Sequence, residues 1–243
     1  MSTQPEPENG YPQLMSLAVH EFRTPLSVVG GYLRMLQGDG DTTLTERQKK
    51  MIDEAAKSCR RLVTFVAEMS DISKLDAGRI ALSRQHLDLF TLVGEVAGGV
   101  EEAKDRDVHL EVRGEASGAP LSGDNARLRQ AFDAIFRAIL REKPGPSTVI
   151  AERRIEKRDG GAMAIVVVAE EGSVQAAYER SPGPFNEERP GLGLAVPLAR
   201  RIIEGHGGRI WSPAQGGATA TKNAASDAAL ALGSAIIALP VTE

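Results

Sequence analysis

Three things are scarce in this chain of 243 residues. It has a single cysteine, Cys59, so no intramolecular disulfide framework can staple it; Cys59 falls on an apolar helical stripe and reads as a small buried hydrophobe. No run approaches the roughly 20 apolar residues that a membrane-spanning helix needs, and the first ten residues are polar and acidic, unlike a secretory signal. Nor is there a basic excess: 29 Lys and Arg stand against 33 Asp and Glu, a formal net charge of −4, which argues against a general nucleic-acid binder. These absences predict a cytoplasmic protein with no membrane and no nucleic-acid contact, whose input comes from another chain or from its own C-terminal domain.

What is present supports real cores. Hydrophobic residues make up 42% of the chain, enough for one large or two modest domains. Residues 1–10, rich in Pro, Glu and Asn, read as a disordered tail. Residues 11–80 read as a hairpin of two long helices. In the first, Met15, Ala18, Phe22, Pro25, Val29, Tyr32 and Leu36 recur at the three-four spacing of a single buried stripe, until Gly38-Asp39-Gly40-Asp41 stops the helix near Gln37. Thr43 or Thr45 offers a cap for the second, where Ile52, Ala55, Cys59, Leu62, Val66 and Met69 keep the same spacing and Leu75 lies near the end. A lone hairpin leaves such stripes half covered, so pairing with a second copy as a four-helix bundle is expected.

From about Asp88 strands alternate with helices. Val108, Leu110 and Val112 alternate as a half-buried strand, and Ala164 to Ala169 and Ala235 to Leu239 are short apolar strands. Helices are expected from about Asn125 to Glu142, with Leu128, Phe132, Ile135 and Ile139 on the core face, and from about Leu194 to Glu204. The Ala, Gly, Thr and Ser-rich stretch from Ala214 to Leu232 reads as an inserted loop, with at most a helical turn. The fold class is thus α+β: a helical hairpin followed, over residues 85–243, by an α/β sandwich.

The chemistry concentrates on the first helix. Opposite the apolar stripe lie Gln13, Ser16, His20, Arg23, Ser27 and Arg34, so His20 is expected to be exposed. Glu21 adjoins it and Thr24 lies one turn further on, placing an imidazole, a carboxylate and a hydroxyl in one small patch. A neutral imidazole is a competent nucleophile near pH 7, and a flanking carboxylate can orient it and take up its proton. Pro25 cannot donate to the carbonyl of Glu21, which frees that acceptor and favours a bend.

With these pieces in this order, the chain resembles the two-component histidine kinases. His20-Glu21-Phe22-Arg23-Thr24-Pro25-Leu26 is similar to their phospho-acceptor box, Gly123-Asp124-Asn125-Ala126-Arg127-Leu128-Arg129-Gln130 to the start of a helix in their ATP-binding domain, and Gly191-Leu192-Gly193-Leu194-Ala195 to their second glycine box. The resemblance implies that His20 is phosphorylated, that Glu21 is its general base, and that Thr24 positions water when a partner is dephosphorylated. It implies a homodimer whose partner is a response-regulator receiver domain. It also implies ATP and magnesium as cofactors, with Glu170, Gly172, Gly191 and Gly193 in the nucleotide-binding positions.

At those positions the chain departs from the family. Ala134 and Ala138 stand where the family has two asparagines, the second a magnesium holder, and a methyl group cannot ligate a hard cation. Glu170 replaces an aspartate, Val174 replaces a glycine, and the segment from Gln175 to Pro190 is short for a lid and contains Pro182, Pro184 and Pro190. No metal ligand is assigned. The reading is a histidine phosphotransferase or pseudokinase with weak or absent ATP-dependent labelling; a working ATP-dependent kinase and a non-catalytic dimeric scaffold are the alternatives.

Overall fold

Thr45 opens the second long helix with a reciprocal cap. Its hydroxyl accepts from the Gln48 amide, and the Gln48 side chain accepts in turn from the Thr45 amide. The computed structural model describes residues 11–38, 44–158, 161–189, 191–215 and 224–242; the expected tail at 1–10, the glycine-aspartate stop from residue 39 and the alternative cap Thr43 lie outside them. The chain divides into two units, Met1–Ile80 and Ala81–Glu243.

The first unit is an antiparallel pair, α1 (Tyr11–Gly38) and α2 (Glu46–Asp76). Helix α1 runs on through Pro25 without a break in its assignment. The two helices meet through Val19, Ala56, Cys59 and Val66, all buried, with Leu26, Gly30 and Leu33 half-buried. Gly30 allows the close approach, since a Cβ there would lie 3.4 Å from the Cys59 sulfur. The single buried stripe expected on α1 needs correction. Phe22, Val29, Tyr32 and Leu36 remain 42–63% exposed, and on α2 Leu62 is 52% exposed. Each helix is apolar on two faces, and the hairpin covers only one of them. Among the described residues every large apolar side chain that stays exposed lies between Leu17 and Phe65. No helix among the described residues is long and apolar enough to cross a membrane.

The second unit is a layered α/β fold. A short ladder joins β1 (Gln85–Asp88) to β3 (Pro120–Gly123). The main sheet has six strands in the order β2 (Val108–Gly114), β4 (Ser147–Arg158), β5 (Gly161–Glu170), β8 (Ala235–Pro240), β7 (Arg209–Pro213) and β6 (Pro182–Gly183). Only β2 and β4 run parallel. Helices α3 (Leu89–Gly98), α4 (Asn125–Arg141) and α6 (Ala195–Gly205) supply the main core, in which Phe90, Phe132, Phe136, Ile135 and Ile202 are fully buried. The sheet's alternation leaves Ile165, Val167, Ile236 and Ala238 on a separate apolar cluster, which Val174 and Ala177 of α5 (Val174–Glu179) complete. Leu230 of α7 (Ala224–Leu232) packs against the same cluster. The stretch expected to be an inserted loop therefore ends in a nine-residue helix. Its alanines, mute as a periodic signal, are good helix formers once one side has a surface to lie on.

Two polar residues fix the joints. Asp88 caps α3 by accepting from Thr91 N (2.9 Å) and grips the preceding loop through Gly118 N (2.7 Å) and Ala119 N (3.0 Å). Burial raises its pKa, but these donors together outweigh it and hold the carboxyl below its ordinary range. His206, at the end of α6, is 4% exposed; its Nδ1–H donates to Ile202 O (2.7 Å), and its Nε2 accepts from Asp124 N (2.9 Å) at the start of α4. Protonation would set donor against donor at Asp124. Burial is the largest influence and lowers the imidazole pKa below 6.5; the bond to Ile202 and the charge of Asp124 oppose this, while Arg84 and Arg127 reinforce it. The unfolded chain thus binds the proton more readily, so stability is full above about pH 6.5 and falls as pH drops from there through the lowered native value. Replacing His206 by alanine should cost about 3 kcal/mol, from the cavity and the orphaned amide, and should flatten that pH dependence in denaturant melts between pH 7 and pH 5.

Candidate functional site

The site on the hairpin is built by one turn of α1. His20 and Thr24 are four residues apart and share a face, and both are exposed, as is Glu21. The side chains of His20 and Glu21 are 77% and 72% exposed, with His20 Nδ1 3.6 Å from Glu21 Oε1. A carboxylate at that distance favours the tautomer with its proton on Nδ1, which leaves the Nε2 lone pair free for attack. Pro25, inside the helix immediately after Thr24, withholds one amide from the ladder directly beneath this patch.

In the second unit Glu170 borders a cavity whose lining does not include Gly172, Gly191 or Gly193. Glu170 ends β5, where its carboxylate takes the Lys143 ammonium at 3.0 Å. Gly172 lies in the 3₁₀ turn that follows, and Val174, buried at 6%, begins α5 and so starts a helix where the resemblance calls for a glycine turn. Gly191 and Gly193 both adopt positive φ, +80° and +59°, which only glycine takes without strain. A Cβ at Gly191 would lie 2.8 Å from Nη1 of Arg141, whose Nε is itself bound to Glu102 at 2.8 Å. Ala134 and Ala138 are buried methyl groups at 4% and 0% exposure. The residues present therefore do not fit a bound magnesium ion: methyl groups stand at both asparagine positions, and the acidic reader is paired with Lys143.

The segment expected to be a short lid is instead α5, the two-residue strand β6 and an anchored stretch around Arg189. The Arg189 side chain is 2% exposed. It donates to Glu142 Oε1 (2.7 Å), to Leu232 O (2.9 Å) and to Asn186 O (3.2 Å), and lies over the Phe185 ring. Sequence reasoning missed Lys143, Arg141 and Arg189, because a buried cation is recognised by partners far along the chain and carries no local pattern.

Residues 13–78 match the His Kinase A (phospho-acceptor) domain family. The hairpin is a histidine kinase phospho-acceptor domain. Over 199 residues the chain is 30% identical to the signal transduction histidine-protein kinase BaeS of Escherichia coli, covering 79% of this chain and 41% of that protein. Over 204 residues the chain is 26% identical to the sensory/regulatory protein RpfC of Xanthomonas campestris, covering 79% of this chain and 28% of the relative. It therefore spans well under half the length of these sensor kinases. Among solved structures it resembles full-length ShkA in complex with AMPPNP (TM-score 0.67, 22% identity, 95% of this chain and 46% of that one). It also resembles the histidine kinase ThkA in complex with the response regulator TrrA (TM-score 0.52, 21% identity, 95% and 61%). The N-terminal hairpin followed by an α/β sheet unit is the arrangement of histidine kinases.

Proposed function

We propose that this protein is a dimeric histidine phosphotransferase of two-component signalling, in which His20 exchanges a phosphoryl group with an aspartate of a response-regulator receiver domain. The observation that carries this reading is the exposed His20 ring with Nδ1 turned to Glu21. In the forward step the Nε2 lone pair forms the bond to phosphorus, and the bond from phosphorus to the aspartyl oxygen breaks. The released electron pair stays on the aspartate, and the Nδ1 proton passes toward Glu21. Thr24, one turn on, holds the water for hydrolysis of the phosphorylated partner. ThkA, solved with a response regulator, supports the class of partner. The uncovered apolar faces of α1 and α2 support the homodimer.

The test has two arms, one offering labelled ATP with magnesium and the other a phosphorylated receiver domain, each with His20→Ala as control. Label is expected from the receiver and not from ATP; efficient His20-dependent labelling from ATP would identify a kinase instead. Ala138→Asn alone should leave ATP labelling unrescued, because Lys143 still holds Glu170 and Val174 still starts a helix at the altered adenine positions. Gel autoradiography of that variant beside wild type checks this.

A further inference from the structure

The chain enters its second unit through residues 81–84, which precede the β1 ladder beginning at Gln85. Polar contacts from two neighbouring residues hold this segment down. Ser83 N donates to Asp124 Oδ2 (3.0 Å), at the start of α4. The exposed Arg84 donates through its guanidinium to Ser122 O (3.1 Å) in β3 and to Gly205 O (3.0 Å) at the end of α6. Leu82 lies over Gly205, where a Cβ would come within 3.6 Å of its Cδ1. These contacts surround His206, the buried histidine that joins α6 to α4.

While the imidazole is neutral, its Nε2 lone pair accepts from Asp124 N, and the Asp124 carboxylate is left to accept from Ser83 N and Arg127 N. A proton on Nε2 turns that acceptor into a donor, which the Asp124 amide cannot answer. The charged groups facing the ring are Arg84 from the entering segment and Asp124 and Arg127 from α4; on its own helix, Glu204 is bound to Arg200 at 2.7 Å. Asp124 is the anion of that set, so an imidazolium draws its carboxylate away from Ser83. The same charge repels the guanidinium of Arg84. One protonation therefore loosens the contacts of both residues. Burial holds the ring below its ordinary 6.5, so the segment is held at neutral pH and let go as pH falls below that value.

We propose that His206 and Asp124 form a proton-operated latch on residues 82–84, closed when the imidazole is neutral and open when it is charged, which sets the length of free tether between the hairpin and the second unit. Opening adds three residues to that tether, about 10 Å of reach. The β1 ladder from Gln85 onward limits the release. The latch uses neither His20 nor the glycine turn, so it and the proposed phosphoryl transfer can fail separately.

Amide hydrogen exchange on the full chain, corrected for the intrinsic pH dependence of exchange, reads the latch directly. Between pH 7 and pH 5 the protection of the Ser83 and Arg84 amides should fall about tenfold, the loss of a hydrogen bond to a charged group. The midpoint should match the titration of the His206 ring followed by NMR, while the amides of Phe132 and Ile135 in α4 keep their protection. His206→Gln retains an acceptor for Asp124 N and cannot be protonated, so its Ser83 amide should be equally protected at both pH values. Arg84→Gln, at an exposed position, should lower Ser83 protection about fivefold at pH 7 with the α4 amides unchanged. Constant Ser83 protection while His206 titrates, or loss of the α4 amides together with Ser83, would overturn the proposal. So would a pH-dependent fall that persists in His206→Gln, or full Ser83 protection in Arg84→Gln.

Discussion

In a chain carrying His20→Ala, label should fail to appear on this protein from a phosphorylated receiver domain, a loss of about a thousandfold or more, as for removal of a nucleophile. The side chain is 77% exposed and its polar neighbour is the likewise exposed Glu21, so its removal should leave the thermal melt unchanged and the loss assignable to chemistry. Glu21→Gln keeps the shape and removes the proton acceptor; transfer should slow by about 10²- to 10⁴-fold. Thr24→Ala should leave transfer nearly intact and slow phosphate release from the regulator by about 10- to 100-fold. Label on each protein and free phosphate, followed together over time, separate the three. Equal transfer by wild type and His20→Ala would sink the mechanism, while unchanged release in Thr24→Ala would remove only its hydrolytic half.

The second large effect concerns assembly, and two neighbouring residues of α2 should answer differently. Leu62 is 52% exposed in the single chain and Val66 is 6% exposed. In a two-fold bundle each substitution acts twice, so Leu62→Glu forfeits about 3–6 kcal/mol of apolar burial before any cost of the buried charge. The dimer constant should weaken by about 10²- to 10⁴-fold, giving a monomer that is still helical. Val66→Asp puts its charge between α1 and α2 and should unfold the hairpin itself. Light scattering with circular dichroism distinguishes the two. A wild-type chain that is monomeric at micromolar concentration would end the dimer reading.

The sequence made some elements plain and hid others for physical reasons. Helix α4 was legible because Leu128, Phe132, Ile135 and Ile139 hold one face and Asp124 precedes them as a cap. His20 was legible because chemistry on a helix surface needs only neighbours three or four positions away. The two-faced character of α1 was not, because Phe22 and Val29 satisfy the same spacing as Val19 and Leu26, and spacing does not say which stripe meets which partner. Strand β4, with Arg153, Arg154, Lys157 and Arg158, lacks the alternation of a half-buried strand. Arg153 is buried all the same, giving its guanidinium to the carbonyls of Phe90, Arg113 and Gly114. At the candidate nucleotide positions the substitutions could be read from the chain, but Lys143 on Glu170 and Arg141 beside Gly191 could not. Each depends on segments brought together only by folding.

Arg189 ties together the end of α4, its own segment and the last carbonyl of α7 through a guanidinium almost shut off from water. None of these can lift away without stranding that cation, so they should open as a single cooperative event. In hydrogen exchange the amides around 185–189 and 226–232 would then share one opening free energy. Arg189→Gln would split that shared value into two, making the two ends of the domain exchange as strangers.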